Sequence, residues 1–330
     1  MPCYFPLQAS YSVRSDGKKD IQFSDAQARL FHAGLQSVGD SNLSIPCGQC
    51  VGCRLERSRQ WALRCVHESQ MYEDNCFVTL TFDDEHLAKM CPGGSLVRKH
   101  VQDFLKRLRK KFARGFDYLE RTRKGDVSKF FQRDGIRVFY CGEYGEELYR
   151  PHYHLSLFNC AFPDREHWKT VNGFHYYNSD VLDSVWTIDG SQIGHAVVAD
   201  FSFETAAYVA RYCTKKITGS QADDHYQGRL PEFCGMSLKP GIGRVWLDKF
   251  GKTDVFPFDN CIVRGVQCKP PRYYDKRLEA DDVSAFELLK LRRAARGELK
   301  AADSTFDRLA VRLKCQEARF KKLIRKMENL

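Results

Sequence analysis

The sequence predicts an α+β fold, and two observations carry that reading. Short runs rich in β-branched and aromatic residues, Cys76–Phe82, Ile136–Gly142 and His152–Phe158, read as strands. Around them, apolar residues recur at three- and four-residue spacing over 54–72, 96–113 and 203–216, the period of amphipathic helices. The chain has 330 residues, of which 43% are hydrophobic, enough for one large domain or two small ones.

Charge and composition narrow the function classes. Lys and Arg total 52 against 42 Asp and Glu, a net charge of +10, which favours a polyanionic partner. Aromatic residues reach 13%, and base stacking is one use for that surplus. No apolar run is long enough to cross a bilayer, and the start, Met1-Pro2-Cys3-Tyr4, lacks the charged and apolar regions of a secretion signal. The 14 cysteines are therefore expected as reduced thiols and metal ligands.

In chain order, residues 1–46 are weakly periodic. Next comes Pro46-Cys47-Gly48-Gln49-Cys50-Val51-Gly52-Cys53. A C-x-x-C turn with Gly between the thiols is half of a zinc knuckle, because Gly lets the backbone curl toward a metal. Cys3, Cys65 or His67 would supply the fourth ligand beside Cys47, Cys50 and Cys53. An iron–sulfur run would place another Cys soon after, where Arg54-Leu55-Glu56-Arg57 stands instead. The helix over 54–72 keeps its arginines largely off its apolar face. After the strand 76–82, Asp83-Asp84-Glu85-His86 reads as a cap for the following turn. The helix over 96–113 carries Val97, Val101, Phe104, Leu105, Leu108 and Phe112 at three- and four-residue spacing. It turns outward Arg98, Lys99, Lys106, Arg107, Arg109, Lys110, Lys111 and Arg114, a face suited to a DNA backbone. Residues 115–135 are a polar excursion, 159–200 and 221–260 are loop-rich, and 281–330 form a basic, largely helical tail.

The chemistry gathers in the middle of the chain. In a strand, residues two apart share a face, so His152 and His154 present two imidazoles side by side while Tyr153 points away. A hairpin between the strands at 136–142 and 152–158 would bring Glu143 beside His152, completing three ligands for a metal. Two surface histidines on an edge strand would look the same in isolation. Downstream, Tyr208-x-x-Arg211-Tyr212-x-x-Lys215 places two phenols one helical turn apart. A phenol ionises only near about pH 10, so it needs a cation and a metal-polarised phosphate to act as a nucleophile.

This order of strand 77–82, His152-Tyr153-His154 and Tyr208-x-x-x-Tyr212-x-x-Lys215 resembles that of the HUH-type rolling-circle replication initiators. Relaxases of plasmid transfer usually carry the tyrosine before the histidines; here it follows. The paired tyrosines and the Pro-Cys-Gly-x-Cys-x-Gly-Cys-Arg block are similar to those of replication initiators from the gokushovirus branch of the microviruses, small single-stranded DNA phages. Pro270-Pro271-Arg272-Tyr273-Tyr274-Asp275 resembles their C-terminal region. The resemblance implies a central antiparallel sheet with flanking helices, related to the RNA-recognition-motif architecture. It implies a catalytic core at 76–218, between a Cys-rich N-terminal segment at 1–75 and a C-terminal region at 219–330 that ends in the basic helical tail.

The resemblance also implies a reaction in the host bacterial cytoplasm. Tyr208 or Tyr212 attacks a phosphodiester of the single-stranded viral origin, becomes joined to the 5′ phosphate and frees a 3′ hydroxyl for the host polymerase. The second tyrosine later rejoins the displaced strand. His152, His154 and Glu143 hold Mg²⁺ or Mn²⁺, although these ligand types fit catalytic zinc equally. Lys215, or alternatively Lys216 or Arg211, balances charge at the phosphate. Zinc in the Cys block is structural. The chain has no G-x-x-x-x-G-K-[ST] loop, so a host helicase would separate the strands. Two other classes compete: a zinc-containing DNA-binding protein without catalysis, and a metal nuclease that uses water.

Overall fold

The computed structural model describes residues 3–13, 19–23, 43–113, 135–212 and 221–321. They fall into two compact units, one of the described residues up to Arg57 together with those from Glu287 onward, the other of the described residues from Ser58 to Phe286. The first unit contains the antiparallel strands β1 (Leu7–Val13), β2 (Lys19–Gln22) and β3 (Leu43–Ile45), with β1 in the middle. Helix α1 (Val51–Ser69) crosses the division. The basic tail is helical as expected, as α9 (Val283–Glu298) and α10 (Phe306–Lys321).

The second unit is built on a seven-stranded sheet. Its strands are β4 (Asn75–Leu80), β5 (Arg137–Tyr144), β6 (Pro151–Phe158), β7 (Glu166–Val171), β8 (Phe174–Asn178), β11 (Ala196–Asp200) and β12 (Phe233–Met236). The order across the sheet is β12-β5-β6-β4-β11-β8-β7, and every neighbouring pair is antiparallel. The class is α+β, as the sequence predicts. The short pair β9 (Thr187–Ile188) and β10 (Ser191–Gln192) stands apart from it.

Alternation along each strand divides the sheet into two faces. One face presents Val78, Leu80, Val138, Tyr153, Leu155 and Leu157 to α3 (Arg98–Ala113), which answers with Val101, Phe104, Leu105 and Leu108. The other presents Phe77, Phe139, Cys141 and Phe158 to Ala62 and Cys65 of α1 and to Ala206, Val209 and Ala210 of α5 (Phe203–Tyr212). Asp83 caps the short helix α2 (Asp84–Met90), accepting a hydrogen bond from the His86 N–H at 2.8 Å. The helix predicted from residue 96 starts at Arg98. The Leu96 and Val97 N–H groups before it donate instead to the hydroxyls of Tyr144 and Tyr153, each at 3.1 Å.

Three features depart from the sequence-based expectations. The segment 159–200, read as loop, supplies β7, β8 and β11, and 221–260 supplies β12 at the opposite edge. Of these, β7 and β12 are edge strands, exposed on one side or both, so their hydrophobic alternation is weak, whereas β8 and β11 are interior strands of only five residues each. The cations of α3 are not all turned to solvent: Arg107 donates to Val185 O at 2.8 Å and Arg109 to Ile136 O at 3.1 Å. Most of the polar excursion at 115–135 lies outside the described residues.

The Pro270–Asp275 motif has a packing role. It leads into α8 (Arg272–Asp281), whose Tyr274 hydroxyl lies 2.7 Å from His67 Nδ1. The His67 ring stacks on Trp246 at 3.5 Å between centroids. The Arg64 guanidinium is sandwiched between Trp61 and Tyr273, 4.0 and 3.9 Å from their ring centroids. One turn along α1, Glu68 pairs with Arg137 of β5 and accepts from the Gly243 N–H at 2.6 Å, so this buried charge pair is hydrogen-bonded on both oxygens. Gly243 has φ +77°, and a Cβ there would meet the Tyr274 hydroxyl at 2.7 Å, so both its conformation and its space require glycine.

Burial pushes the His67 imidazole down to about 3, well under the ordinary histidine value of about 6.5. Between those limits the unfolded chain binds the extra proton. Stability from this site is therefore full above about pH 6.5 and is lost as pH falls toward 3. His100, pushed to about 4 by burial, acts in the same sense. Urea titrations from pH 7 to 4 should show a falling unfolding free energy. In His67→Phe the slope should lessen by up to about 1.4 kcal/mol per pH unit, one proton's share; an unchanged slope would show that His67 is protonated in the fold.

Candidate metal centres

The hairpin β5–β6 pairs Glu143 directly with His152, and Cys141 with His154. Alternation then puts Glu143, His152 and His154 on one face of the sheet, the face that packs against α5. Glu143 Oε1 lies 2.7 Å from His152 Nε2 and 2.8 Å from His154 Nε2. The three ligand atoms fall within 4.8 Å of one another. Glu143 and His154 are buried, whereas the side chain of His152 keeps 18% of its surface and forms the open side of the group.

The surroundings fix the rings. His152 Nδ1 donates to Arg150 O at 3.0 Å, and the same carbonyl accepts the Gly145 N–H at 3.0 Å, closing the β5–β6 turn. His154 Nδ1 meets Thr79 Oγ1 of β4 at 2.9 Å. Phe77 stacks on His154, with centroids 5.4 Å apart. The pairing of Thr79 with His154 follows from the β4–β6 register, which sets the two residues directly opposite each other.

The donor set fits a cation. With Nδ1–H donated to a carbonyl, His152 turns Nε2 toward a carboxylate oxygen, so a positive charge must lie between the two, supplied by a proton on the imidazole or, in its place, by a metal ion. The second oxygen, Glu143 Oε2, is buried and has no hydrogen-bond partner among the described residues. Burial raises the Glu143 carboxyl, but the charge and hydrogen bonds of the two imidazoles more than reverse this, leaving it below the usual carboxylate range.

Helix α5 brings Tyr208 to this group. Its hydroxyl donates to Glu143 Oε1 at 3.4 Å, a long hydrogen bond. Its ring lies edge-on to His154, with centroids 5.0 Å apart, and edge-on to Phe77. Tyr208 is 5% exposed. Tyr212 closes the helix one turn later; its side chain, and Lys215 and Lys216, lie outside the described residues.

A second group forms in the first unit from Cys3, Cys47, Cys50 and Cys53, again within 4.8 Å of one another. Gly48, at φ +76°, curls the backbone as the spacing predicts. Backbone N–H groups of Cys47, Cys50 and Cys53 donate to the sulfurs of Cys3, Cys47 and Cys50 at 3.2, 3.3 and 3.4 Å. Sulfur–sulfur distances of 4.0 Å are far too long for a disulfide and close to the edge of about 3.8 Å of a tetrahedron with 2.3 Å metal–sulfur bonds. Hydrogen bonding with Cys3 draws the Cys47 thiol down to about 6. Cys65 and His67, the other fourth-ligand candidates, are buried in the core of the second unit.

Comparison with known proteins bears on the first of these groups. The family model described as replication-associated protein ORF2/G2P matches residues 75–217, which include Glu143, His152, His154 and Tyr208. Replication-associated protein VP4 of Bdellovibrio phage phiMH2K is 31% identical over 275 residues, 83% of this chain and 76% of the relative. Replication-associated protein ORF2 of Spiroplasma virus 4 is 30% identical over 297 residues, 87% of this chain and 83% of the relative. Replication-associated protein ORF4 of Chlamydia phage 1 is 29% identical over 249 residues, 73% of this chain and 55% of the relative. No solved structure matches the chain.

Because Thr79 holds the His154 ring through the nitrogen that faces away from Glu143, Thr79→Val should weaken divalent-metal binding by about 10–100-fold without removing a ligand. Calorimetric titration with Mn²⁺ checks this, with Glu143→Ala as the variant expected to lose the site. Equal affinity in Thr79→Val and the unaltered protein would show that the threonine does not orient the ring.

Proposed function

Taking as premise that this chain belongs to the phage replication-associated proteins and serves replication initiation, we propose that it nicks and rejoins single-stranded origin DNA through a tyrosine. The observation that most supports this is the approach of the Tyr208 hydroxyl, at 3.4 Å, to the carboxylate that both imidazoles touch. His152, His154 and Glu143 would hold Mg²⁺ or Mn²⁺, whose contribution when bound is Lewis-acid polarisation of the scissile phosphate.

The protein's own groups do the rest. Tyr208 Oη is oriented by Glu143, and its edge-on contacts with His154 and Phe77 hold the ring in one rotamer. Attack by a phenol oxygen forms an O–P bond and breaks the bond from phosphorus to the 3′ oxygen. The 5′ phosphate stays on the tyrosine, the phenol proton is lost, and the departing 3′ oxygen gains one as a hydroxyl. That hydroxyl would prime a host polymerase, with strand separation left to a host helicase. Tyr212, four residues on along the same helix, would attack the regenerated origin in the second step and close the displaced strand. Lys215 would balance charge at the phosphate. The Cys3–Cys47–Cys50–Cys53 group would hold structural zinc.

Incubation with the single-stranded origin and Mn²⁺, followed by denaturation, should give a covalent protein–DNA adduct that is absent from the Tyr208→Phe, Tyr212→Phe double variant. Cleavage without an adduct would favour a water nucleophile, and binding without cleavage a purely DNA-binding role. For the cysteines, metal analysis of the purified protein should find one zinc per chain, lost in Cys47→Ser with Cys50→Ser and kept in Glu143→Ala. Protein with no zinc, folded and with its four thiols reduced, would overturn the assignment.

A further inference from the structure

Four strands away from the metal centre, the edge of the sheet carries an aromatic and cationic surface that the nicking chemistry does not use. Trp168 is 51% exposed, while Trp186 and Trp246 are buried and Trp61 is half-buried. It is the extra residue of a bulge in β7: His167 stands opposite Tyr177, and Lys169 opposite Tyr176. The Lys169 ammonium lies 4.1 Å from the Trp168 ring centroid and 5.9 Å from that of Tyr176. The Arg165 guanidinium lies 4.8 Å from the Tyr177 ring.

The face of the sheet matters. Lys169 shares a row across the strands with Tyr176, Ala199, Phe77 and Ser156. Ser156 is two residues from His154 on the same strand and therefore on the same face. At about 4.8 Å per strand, β7 stands about 19 Å from β6. Lys169 thus projects from the sheet face that carries Glu143, His152 and His154.

We propose that Trp168, with Lys169, stacks on a base of the single-stranded DNA whose scissile phosphate is held at the metal centre; this rests on the DNA-nicking reading above. A half-exposed indole under an ammonium offers a flat apolar surface and a cation to the phosphate beside the base, the pairing that sequence-tolerant single-strand binding uses. In a duplex the base faces are hidden by stacking, so a duplex does not fit. A protein partner adding a strand to this edge fits less well, because the bulge between His167 and Lys169 interrupts the ladder such a strand would need.

The test needs binding but no cleavage, so it is made in the Tyr208→Phe, Tyr212→Phe background with fluorescein-labelled oligothymidine. Trp168→Ala should weaken single-strand binding on the order of tenfold, and Trp168→Phe, which keeps a stacking ring, by less than about threefold. Affinity for duplex DNA should not change, and Lys169→Gln should lower the slope of log K against log salt by about one. Unchanged affinity in Trp168→Ala, or equal losses in the Ala and Phe variants, would overturn the proposal. So would a loss that is the same for duplex and single strand. Absence of the covalent adduct from the unaltered protein would sink the nicking reading while leaving this binding result intact, and the reverse outcome would separate them equally well.

Discussion

The centre of this protein depends on one register: Glu143 of β5 stands directly across from His152 of β6. Strand side chains alternate, so a slip of one residue would send either the carboxylate or both imidazoles to the opposite face, among Tyr153, Leu155 and Leu157. The register is held from both faces. On one, Tyr144 and Tyr153 give their hydroxyls to the start of α3. On the other, the Arg137–Glu68 pair ties the start of β5 to α1. A displaced β5 would leave a buried guanidinium and a buried carboxylate without each other, a cost of about 3–5 kcal/mol.

The buried carboxylate itself is the second constraint. An isolated ionised Glu143 would be too costly in this position, and two imidazoles alone leave one of its oxygens unpartnered. The same arrangement that would be a defect in a packed core suits the proposed metal ion, to which it would offer a preorganised set of lone pairs. Thr79 and the Arg150 carbonyl orient the rings from outside, and Phe77 and Tyr208 wall them in. Helix α5 then serves two purposes with alternate positions: Ala206, Val209 and Ala210 pack on the sheet, and Tyr208 meets the carboxylate.

Much of this was legible in the sequence because it is local. Period-two alternation is enough to pair His152 with His154, and one hairpin is enough to add Glu143. Helical spacing relates Tyr208 to Tyr212. What was hidden depends on contacts distant in sequence. Cys3 joins Cys47, Cys50 and Cys53 across 44 residues, and local spacing alone could not choose it over Cys65 or His67. The edge strands β7 and β12 escaped notice because strands with one neighbour need no clean hydrophobic face. The basic face of α3 looked uniformly solvent-directed because sequence does not show which carbonyls lie within reach; Arg107 and Arg109 find Val185 and Ile136.

The Arg150 carbonyl accepts from both the Gly145 N–H and His152 Nδ1. Hairpin loops are ordinarily where a lineage gains and loses residues most freely. Here the length of the loop decides which nitrogen of His152 carries its proton, because the atom that closes the loop is the atom that receives that proton. An insertion between 145 and 150 would leave both histidines in the sequence and the strands paired, yet free the ring to adopt the wrong tautomer. If His152 holds a metal as proposed, relatives that vary in this loop would have to anchor the imidazole by some other acceptor, so ligand chemistry would constrain the loop beyond what folding requires.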